Sequence, residues 1–185
     1  MAICAICKNE APYLGEWSEF HSLVGVQRFH LYQNRSADDY LSVLGPYLDE
    51  GVVELTEWPR LPPCQKETTK TSSPGTPART SGLRFSTAMS FSFSSSYATV
   101  GEAVDSMAQS EWSAIGVNRM CFGASGQDEP RPDSSSSVSR CGRADSFPPN
   151  RHIKSIVRMD RALFTDNSHT PFRQLVGSSL SPASE

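Results

Sequence analysis

The first seven residues, Met1-Ala-Ile-Cys-Ala-Ile-Cys7, form an unbroken apolar run, the pattern of a strand buried on both faces of a parallel sheet. Lys8-Asn-Glu10 closes the run. Pro12 stands where the first turn of a helix tolerates proline, because that N–H has no helical partner anyway. Leu14, Trp17, Phe20, His21 and Val24 recur at helical spacing, which predicts one buried face, and Gly25 stops the helix. Val26–Tyr32 predicts a second strand and Gln33–Ser36 a polar turn at its carboxyl end. Ala37–Leu48 predicts a second helix with Leu41, Leu44 and Leu48 turned inward, and Val52–Glu57 a third strand after Gly51. Strand, helix, strand, helix, strand at this spacing predicts a parallel α/β sheet with right-handed crossovers.

The pattern then breaks. Cys64–Tyr97 is crowded with Ser and Thr and has almost no aliphatic periodicity, so its composition reads as a disordered, linker-like insertion. A loop of that length within a compact α/β unit argues against taking the composition at face value. Gly101–Gln109 predicts a short helix, Ala114–Asn118 and Arg119–Phe122 strands, Ser134–Ser139 a second serine-rich break, and His152–Val157 a final strand. The expected organisation is one domain over residues 1–163 and a loose polar tail over 164–185.

Composition narrows the function. The chain has 185 residues, 37% hydrophobic and with a formal net charge of -3, and this near-balance lacks the basic face that nucleic acid requires. No run of about 20 apolar residues spans a membrane, and the N-terminus has no basic region followed by a long apolar stretch. The expectation is a cytoplasmic chain. The five cysteines, Cys4, Cys7, Cys64, Cys121 and Cys141, are scattered and do not form a disulfide framework. Cys4 and Cys7 make a lone C-x-x-C inside an apolar strand, where packing is a better account than metal or redox chemistry.

Three blocks, Ala5-Ile-Cys-Lys-Asn-Glu-Ala-Pro-Tyr-Leu14, Glu16-Trp-x-Glu-Phe-His21 and Val24-Gly-Val-x-Arg-Phe29, are followed by Leu31-Tyr-x-Asn-x-Ser36 with Asp38-Asp39, Gly51-Val-Val-Glu54 and Glu57-Trp-Pro59. Ile115-Gly-Val-Asn118, Phe122-Gly-x-Ser-Gly126, Arg131-Pro-Asp133 and Lys154-Ser-Ile-Val-Arg158 come later. Together, in this order, they resemble glycosyltransferase family 92 and its bacterial family-2-like relatives, over roughly half the chain. The resemblance implies a GT-A-like, Rossmann-like fold: a mostly parallel sheet flanked by helices, here incomplete because the family's transferases are larger. It implies an enzyme that moves a sugar from a nucleotide-sugar donor to a glycan or lipid acceptor; the chain is expected in the cytoplasm, with a place at the inner face of the membrane as the further expectation. The alternative is a non-catalytic remnant that at most binds a nucleotide or a protein partner.

The resemblance also implies site residues. Lys8, Asn9, Glu10, Asn34, Ser36 and Asp38 would contact the base and ribose of the donor, although turn and helix-cap chemistry explains Asn34, Ser36 and Asp38 as well. Asp128, Glu129 and Asp133 are the candidates for a general base, against a reading as solvated surface carboxylates. Lys154 and Arg158 could face the diphosphate or the acceptor, against a reading as polar positions alternating on a strand, and His169 resembles a late histidine of the family, a candidate metal ligand, against a reading as a surface histidine. His21 reads as structural. The family departs from this chain at Cys7, where an aliphatic residue is usual, and at Gln33, where Asp is usual. The largest departure is the metal site. The family holds Mn²⁺ or Mg²⁺ with an Asp-x-Asp pair at the end of a strand, but no residue of Ser81–Ser96 is acidic, and hydroxyls cannot replace two carboxylates at a hard cation. The expectation is that this chain does not hold the cation.

A shifted reading frame accounts for the loss. Read from the third position of each codon, Ser81-Gly-Leu-Arg-Phe-Ser-Thr-Ala-Met-Ser90 can spell Trp-x-Ala-Phe-Leu-Asp-Gly-Asp-Glu-Phe, which resembles the family's metal-site strand. The same shift lets Asp133–Arg140 spell Leu-Val-Ile-Glu-Arg-Phe-Thr. The frame is therefore expected to be displaced over about residues 64–100 and 133–143.

Overall fold

The computed structural model describes residues 1–58, 83–87, 90–107, 112, 114–118, 120–123, 141–142, 148–151, 153–158, 162–164 and 173–174. Strand β1 (Ala2–Cys7) leads into helix α1 (Ala11–Leu23), strand β2 (Arg28–Gln33), helix α2 (Tyr40–Asp49) and strand β3 (Val53–Glu57). Strand β4 (Leu83–Thr87), helix α3 (Val100–Met107) and strand β5 (Ala114–Asn118) follow. The short β6 (Phe122–Gly123) and β7 (Cys141–Gly142), a 3₁₀ turn (Pro148–Arg151), β8 (Ile153–Val157), β9 (Ala162–Phe164) and β10 (Arg173–Gln174) complete the order.

Six strands form one sheet in the order β3-β2-β1-β4-β8-β5. The β1–β2, β2–β3 and β1–β4 pairs are parallel, and β8 runs antiparallel to both β4 and β5. The expected α/β sheet is therefore mostly parallel, with one reversed strand.

β1 is apolar throughout because both of its faces are covered. Ile3, Ala5 and Cys7 pack with Leu14 and Trp17 of α1, Phe29 and Leu31 of β2, and Leu44 of α2. Ala2 and Cys4 face the other way, with Tyr32 and Val157. Trp17, Phe29, Leu31 and Leu44 have no appreciable exposure, and each such side chain contributes on the order of 1.5–3 kcal/mol by leaving water.

Gly25 ends the α1 segment at φ +94, and a Cβ there would lie 3.0 Å from the Cβ of Thr99, so both backbone and space demand glycine. Thr99 in turn opens α3 by a reciprocal capping pair. Its Oγ1 accepts the Glu102 N–H at 3.1 Å, and its own N–H donates to Glu102 Oε2 at 3.3 Å.

Several local expectations need correction. α2 starts at Tyr40 rather than Ala37, and this rotates its buried face: Tyr40 and Leu44 are buried while Leu41 is 54% exposed. Among the described residues of the Arg119–Phe122 region, Phe122 alone is strand, continuing into Gly123, and Met120 is exposed. Within the Ser/Thr tract, Leu83–Thr87 is a strand paired on one side with β1 and on the other with β8. Backbone pairing on both edges, rather than an apolar pattern of its own, sets this strand in place. No helix among the described residues is long and apolar enough to cross a membrane.

Candidate functional site

In an open α/β sheet, ligands bind beyond the carboxyl ends of the strands where the strand order reverses. Here the chain runs β1, β2, β3 to one side and then places β4 on the other side of β1, so the switch point lies at the carboxyl ends of β1 and β4. Cys7, Gln33 and Glu57 are level with one another there, and Thr87 is level with Ile6.

Two turns meet at this edge. Asn9, in the turn after β1, donates its N–H to Ser36 Oγ at 3.1 Å, and its Oδ1 accepts the Ala37 N–H at 2.8 Å. Asp38 Oδ2 accepts the Ala11 N–H at 2.7 Å and so caps α1 from the other turn. Asn34 donates its side-chain amide to the carbonyl of Trp58 at 3.0 Å, and its backbone N–H to the carbonyl of Cys7 at 3.0 Å. Asn9 (φ 54) and Arg35 (φ 50) are the non-glycine residues with positive φ among the described residues, and one lies in each turn. Such conformations persist only where neighbouring contacts hold them, and they gather at ligand clamps.

A polar network lies beside the turns. Gln33 Nε2 donates to Tyr40 Oη at 2.9 Å and to Glu57 Oε2 at 3.2 Å; Tyr40 Oη donates to Glu57 Oε1 at 3.2 Å. Gln33 Oε1 accepts the Ser36 N–H at 2.9 Å. Gln33 therefore spends its polar atoms on β3, α2 and the turn. Glu57, at the last position of β3, joins the site through the sheet register, which sets it level with Gln33.

Three carboxylates, Glu10, Asp38 and Glu57, surround the Cys7 end of β1. Burial, with these charges adding to it, pushes the Cys7 thiol up to about 12, so it stays neutral and acts as a packing group. Glu10 is pushed up to about 7, mainly by burial, partly offset by a backbone hydrogen bond at Lys8 and reinforced by the Asp38 charge. Glu10 Oε2 and Asp38 Oδ1 are buried atoms without a partner.

The site residues expected from the sequence divide accordingly. Lys8, Asn9, Glu10, Asn34, Ser36 and Asp38 come together at one edge, with Lys8 exposed. Asp128, Glu129, Asp133 and His169 lie outside the described residues. Lys154 is buried one position into β8, opposite Val117. Arg158 follows Val157, which is level with Leu83 and Ala114 at the amino ends of β4 and β5. It lies over the Trp112 ring at 6.0 Å. That is the far edge of the sheet, so Arg158 does not face a ligand at the switch point.

The sequence motifs and this edge can be set beside known proteins. Residues 2–80 match the family model for glycosyltransferase family 92. The chain resembles that family. A glycosyltransferase family 92 protein of Ricinus communis is 41% identical over 49 residues, 26% of this chain and 9% of that protein. One from Oryza sativa subsp. japonica is 38% identical over 61 residues, 32% of this chain and 10% of that protein. The matched stretch thus spans about a tenth of these family 92 relatives' length. In shape, the chain superposes on Staphylococcus aureus TarS 1–349 with a TM-score of 0.53 at 11% identity, covering 85% of this chain and 46% of that one. That likeness shows the fold, a GT-A-like mixed sheet. The family 92 match ends at residue 80, just before β4, so the similarity by sequence covers the two turns and the similarity by shape extends across the sheet.

A GT-A glycosyltransferase can use a divalent cation, and the residues present at the β4 end test whether one fits. In sequence, residues 81–96 contain no carboxylate. Asp38 Oδ2 is committed to the α1 cap and Glu57 to Gln33 and Tyr40. No group of three His, Cys, Asp or Glu side chains among the described residues is placed to hold a metal. Among the described residues, the donor set does not fit Mn²⁺ or Mg²⁺.

Proposed function

We propose that the carboxyl edge of β1–β3 is the nucleotide-binding half of a glycosyltransferase, from a lineage that transfers sugar from a nucleotide-sugar to a glycan or lipid acceptor. The observation that carries this reading is the pair of turns, Lys8–Glu10 and Asn34–Asp38, locked together at the topological switch point. Within them, Asn9 and Ser36 spend the polar atoms already described on each other's turn. Their role is to shape the crevice. Lys8, exposed in the first turn, is the group that meets the base or ribose, with the buried oxygens of Glu10 and Asp38 behind it, an orienting minority of polar atoms in an otherwise apolar site.

Sugar transfer builds negative charge on the departing diphosphate, and a cation is the usual means of neutralising it. With no carboxylate in residues 81–96, this polypeptide binds nucleotide without metal help and transfers sugar slowly. Asp128, Glu129 and Asp133, which follow β6, remain the proposed source of a base for the acceptor hydroxyl. A second reading, a catalytically silent remnant that binds only nucleotide or a protein partner, is favoured by the same donor set. A place on or beside the inner face of a membrane is part of the same proposal, in keeping with the proposed glycan or lipid acceptor.

Isothermal titration with uridine diphosphate, with and without Mn²⁺, tests the binding reading. Weak binding that Mn²⁺ does not tighten is the expected result, and tight metal-dependent binding overturns it. Measured sugar transfer from a uridine diphosphate sugar separates the two readings: slow turnover supports the first, and none at all the second.

A further inference from the structure

The segment that leaves β4 is held to α1 by two side chains. Trp17 donates its indole N–H to the carbonyl of Ser90 at 3.1 Å. His21 Nδ1 lies 2.8 Å from the Trp17 carbonyl, and its Nε2 lies 3.2 Å from the Ser92 backbone N–H. A backbone N–H can only donate, so Nε2 must accept, and the ring is then the neutral tautomer with its proton on Nδ1. Between these two bonds Phe91 is stacked on His21 at 5.9 Å and meets Phe20 edge-on at 5.1 Å. Trp17 and His21 are both fully buried.

Packing alone does not explain this arrangement. An aliphatic residue at position 21 would fill the same space, but it would leave the buried Ser92 N–H without an acceptor. The two bonds span 73 and 71 residues of sequence, and they fix a segment only three residues beyond Thr87, the carboxyl end of β4. The N-terminus of the same helix is fixed to the Asn34–Asp38 turn through Ala11 and Asp38. α1 is therefore tied to both sides of the switch point: by its first turn to β2's end, and by Trp17 and His21 to β4's.

We infer that Trp17 and His21 are positioning residues for the donor edge, holding the chain that leaves β4 in register with the Lys8–Glu10 and Asn34–Asp38 turns through α1. This rests on the donor-binding reading above, and it assigns a function to two buried aromatic residues that touch no ligand themselves.

The test uses the full chain and nuclear magnetic resonance. In the parent, ring ¹⁵N shifts of His21 should report a neutral ring with Nδ1 protonated, and the Ser92 amide should exchange slowly. Trp17→Phe and His21→Leu should speed Ser92 exchange and weaken binding of uridine diphosphate about tenfold, the effect of one lost buried hydrogen bond. His21→Gln keeps an acceptor and should recover part of both losses. A ring protonated on Nε2 overturns the inference without any variant. So does a pair of variants that melt at lower temperature yet retain Ser92 protection and parental affinity, because that is what a merely structural role gives. A parent whose Lys8–Glu10 and Asn34–Asp38 amides ignore uridine diphosphate overturns the donor reading itself, an outcome recognised because it precedes any substitution.

Discussion

The Asp38 carboxylate caps helix α1 by accepting the Ala11 N–H at 2.7 Å, across 27 residues of sequence. A helix cap normally comes from the residue just before the helix. Here Glu10 occupies that place and makes no side-chain cap, so the helix start depends on the second turn being in position. Asp38→Ala should therefore cost about 1 kcal/mol, within the range for a lost cap. Asp38→Asn, which keeps an acceptor, should cost less. Urea unfolding of the two variants checks this, and equal stability of Asp38→Ala and the parent would show that the cap is idle.

Glu10 gives stability a pH dependence of uncommon sign. Its carboxyl is pushed up to about 7 from 4.5 by burial and by Asp38, so between those values the folded chain holds a proton that the unfolded chain has released. Stability must then fall as pH rises through this window, and the loss is complete above the folded value. The site is half-buried, so solvent screening reduces the effect to roughly 1–2 kcal/mol. Glu10→Gln should remove the slope and be more stable than the parent at pH 8. Unfolding free energies at pH 5 and pH 8 decide it: a parent as stable at pH 8 as at pH 5, relative to Glu10→Gln, contradicts the assignment.

The legible parts of the fold were those written in local pattern. The apolar run Met1–Cys7 and the helical recurrence of Leu14, Trp17 and His21 announce β1 and α1 because each element buries what its own period presents. Leu41 was misplaced because α2 begins three residues later than its polar-to-apolar transition implies: Tyr40 turns inward to reach Gln33 and Glu57, and this rotates Leu41 to the surface. β4 was hard to read because its apolar–polar alternation, Leu83-Arg-Phe-Ser86, is only four residues long and lies in a Ser/Thr-rich stretch; two neighbours supply its hydrogen bonds. At the site, the turn residues could be named from the motifs, but which of them bond one another could not, since Asn9–Ser36 and Ala11–Asp38 are tertiary contacts. Glu57 was missed for the same reason: only the sheet register sets it level with Gln33.

Gly25 should tolerate no side chain. At φ +94 an alanine is strained, and its Cβ would meet Thr99, the residue that caps α3, at 3.0 Å. The backbone cost alone is about 1–2 kcal/mol, and a displaced Thr99 adds a disturbed cap at α3. Gly25→Ala should lower stability by about 2 kcal/mol in chemical denaturation and should loosen α3 in amide exchange. A variant with parental stability would mean that the turn rearranges freely.

Coding DNA offers a check on the β4 region. A strand over Leu83–Thr87 lies between β1 and β8, within the Ser81–Ser90 stretch that the shifted-frame reading turns into a metal-site strand. Codons across Pro63–Arg143 should spell Asp-x-Asp in one alternative frame. If neither alternative frame can do so, the displaced-frame account fails and the hydroxyl-rich edge is native to this protein.

Topology makes a last prediction about charge. Lys154 and Arg158 lie four residues apart on a motif that resembles a family 92 strand, and from sequence either could face a diphosphate. β8, however, runs antiparallel to β4. Its first residues sit at the carboxyl edge and its last at the amino edge, about 13 Å away at the usual rise per residue. Arg158, just past the end of β8, lies over Trp112, where the guanidinium–ring contact is worth about 0.5–1 kcal/mol. Arg158→Ala should therefore reduce stability by that amount and leave the affinity for uridine diphosphate unchanged. A large loss of nucleotide affinity with little loss of stability would place the donor at the opposite edge and undo the switch-point assignment.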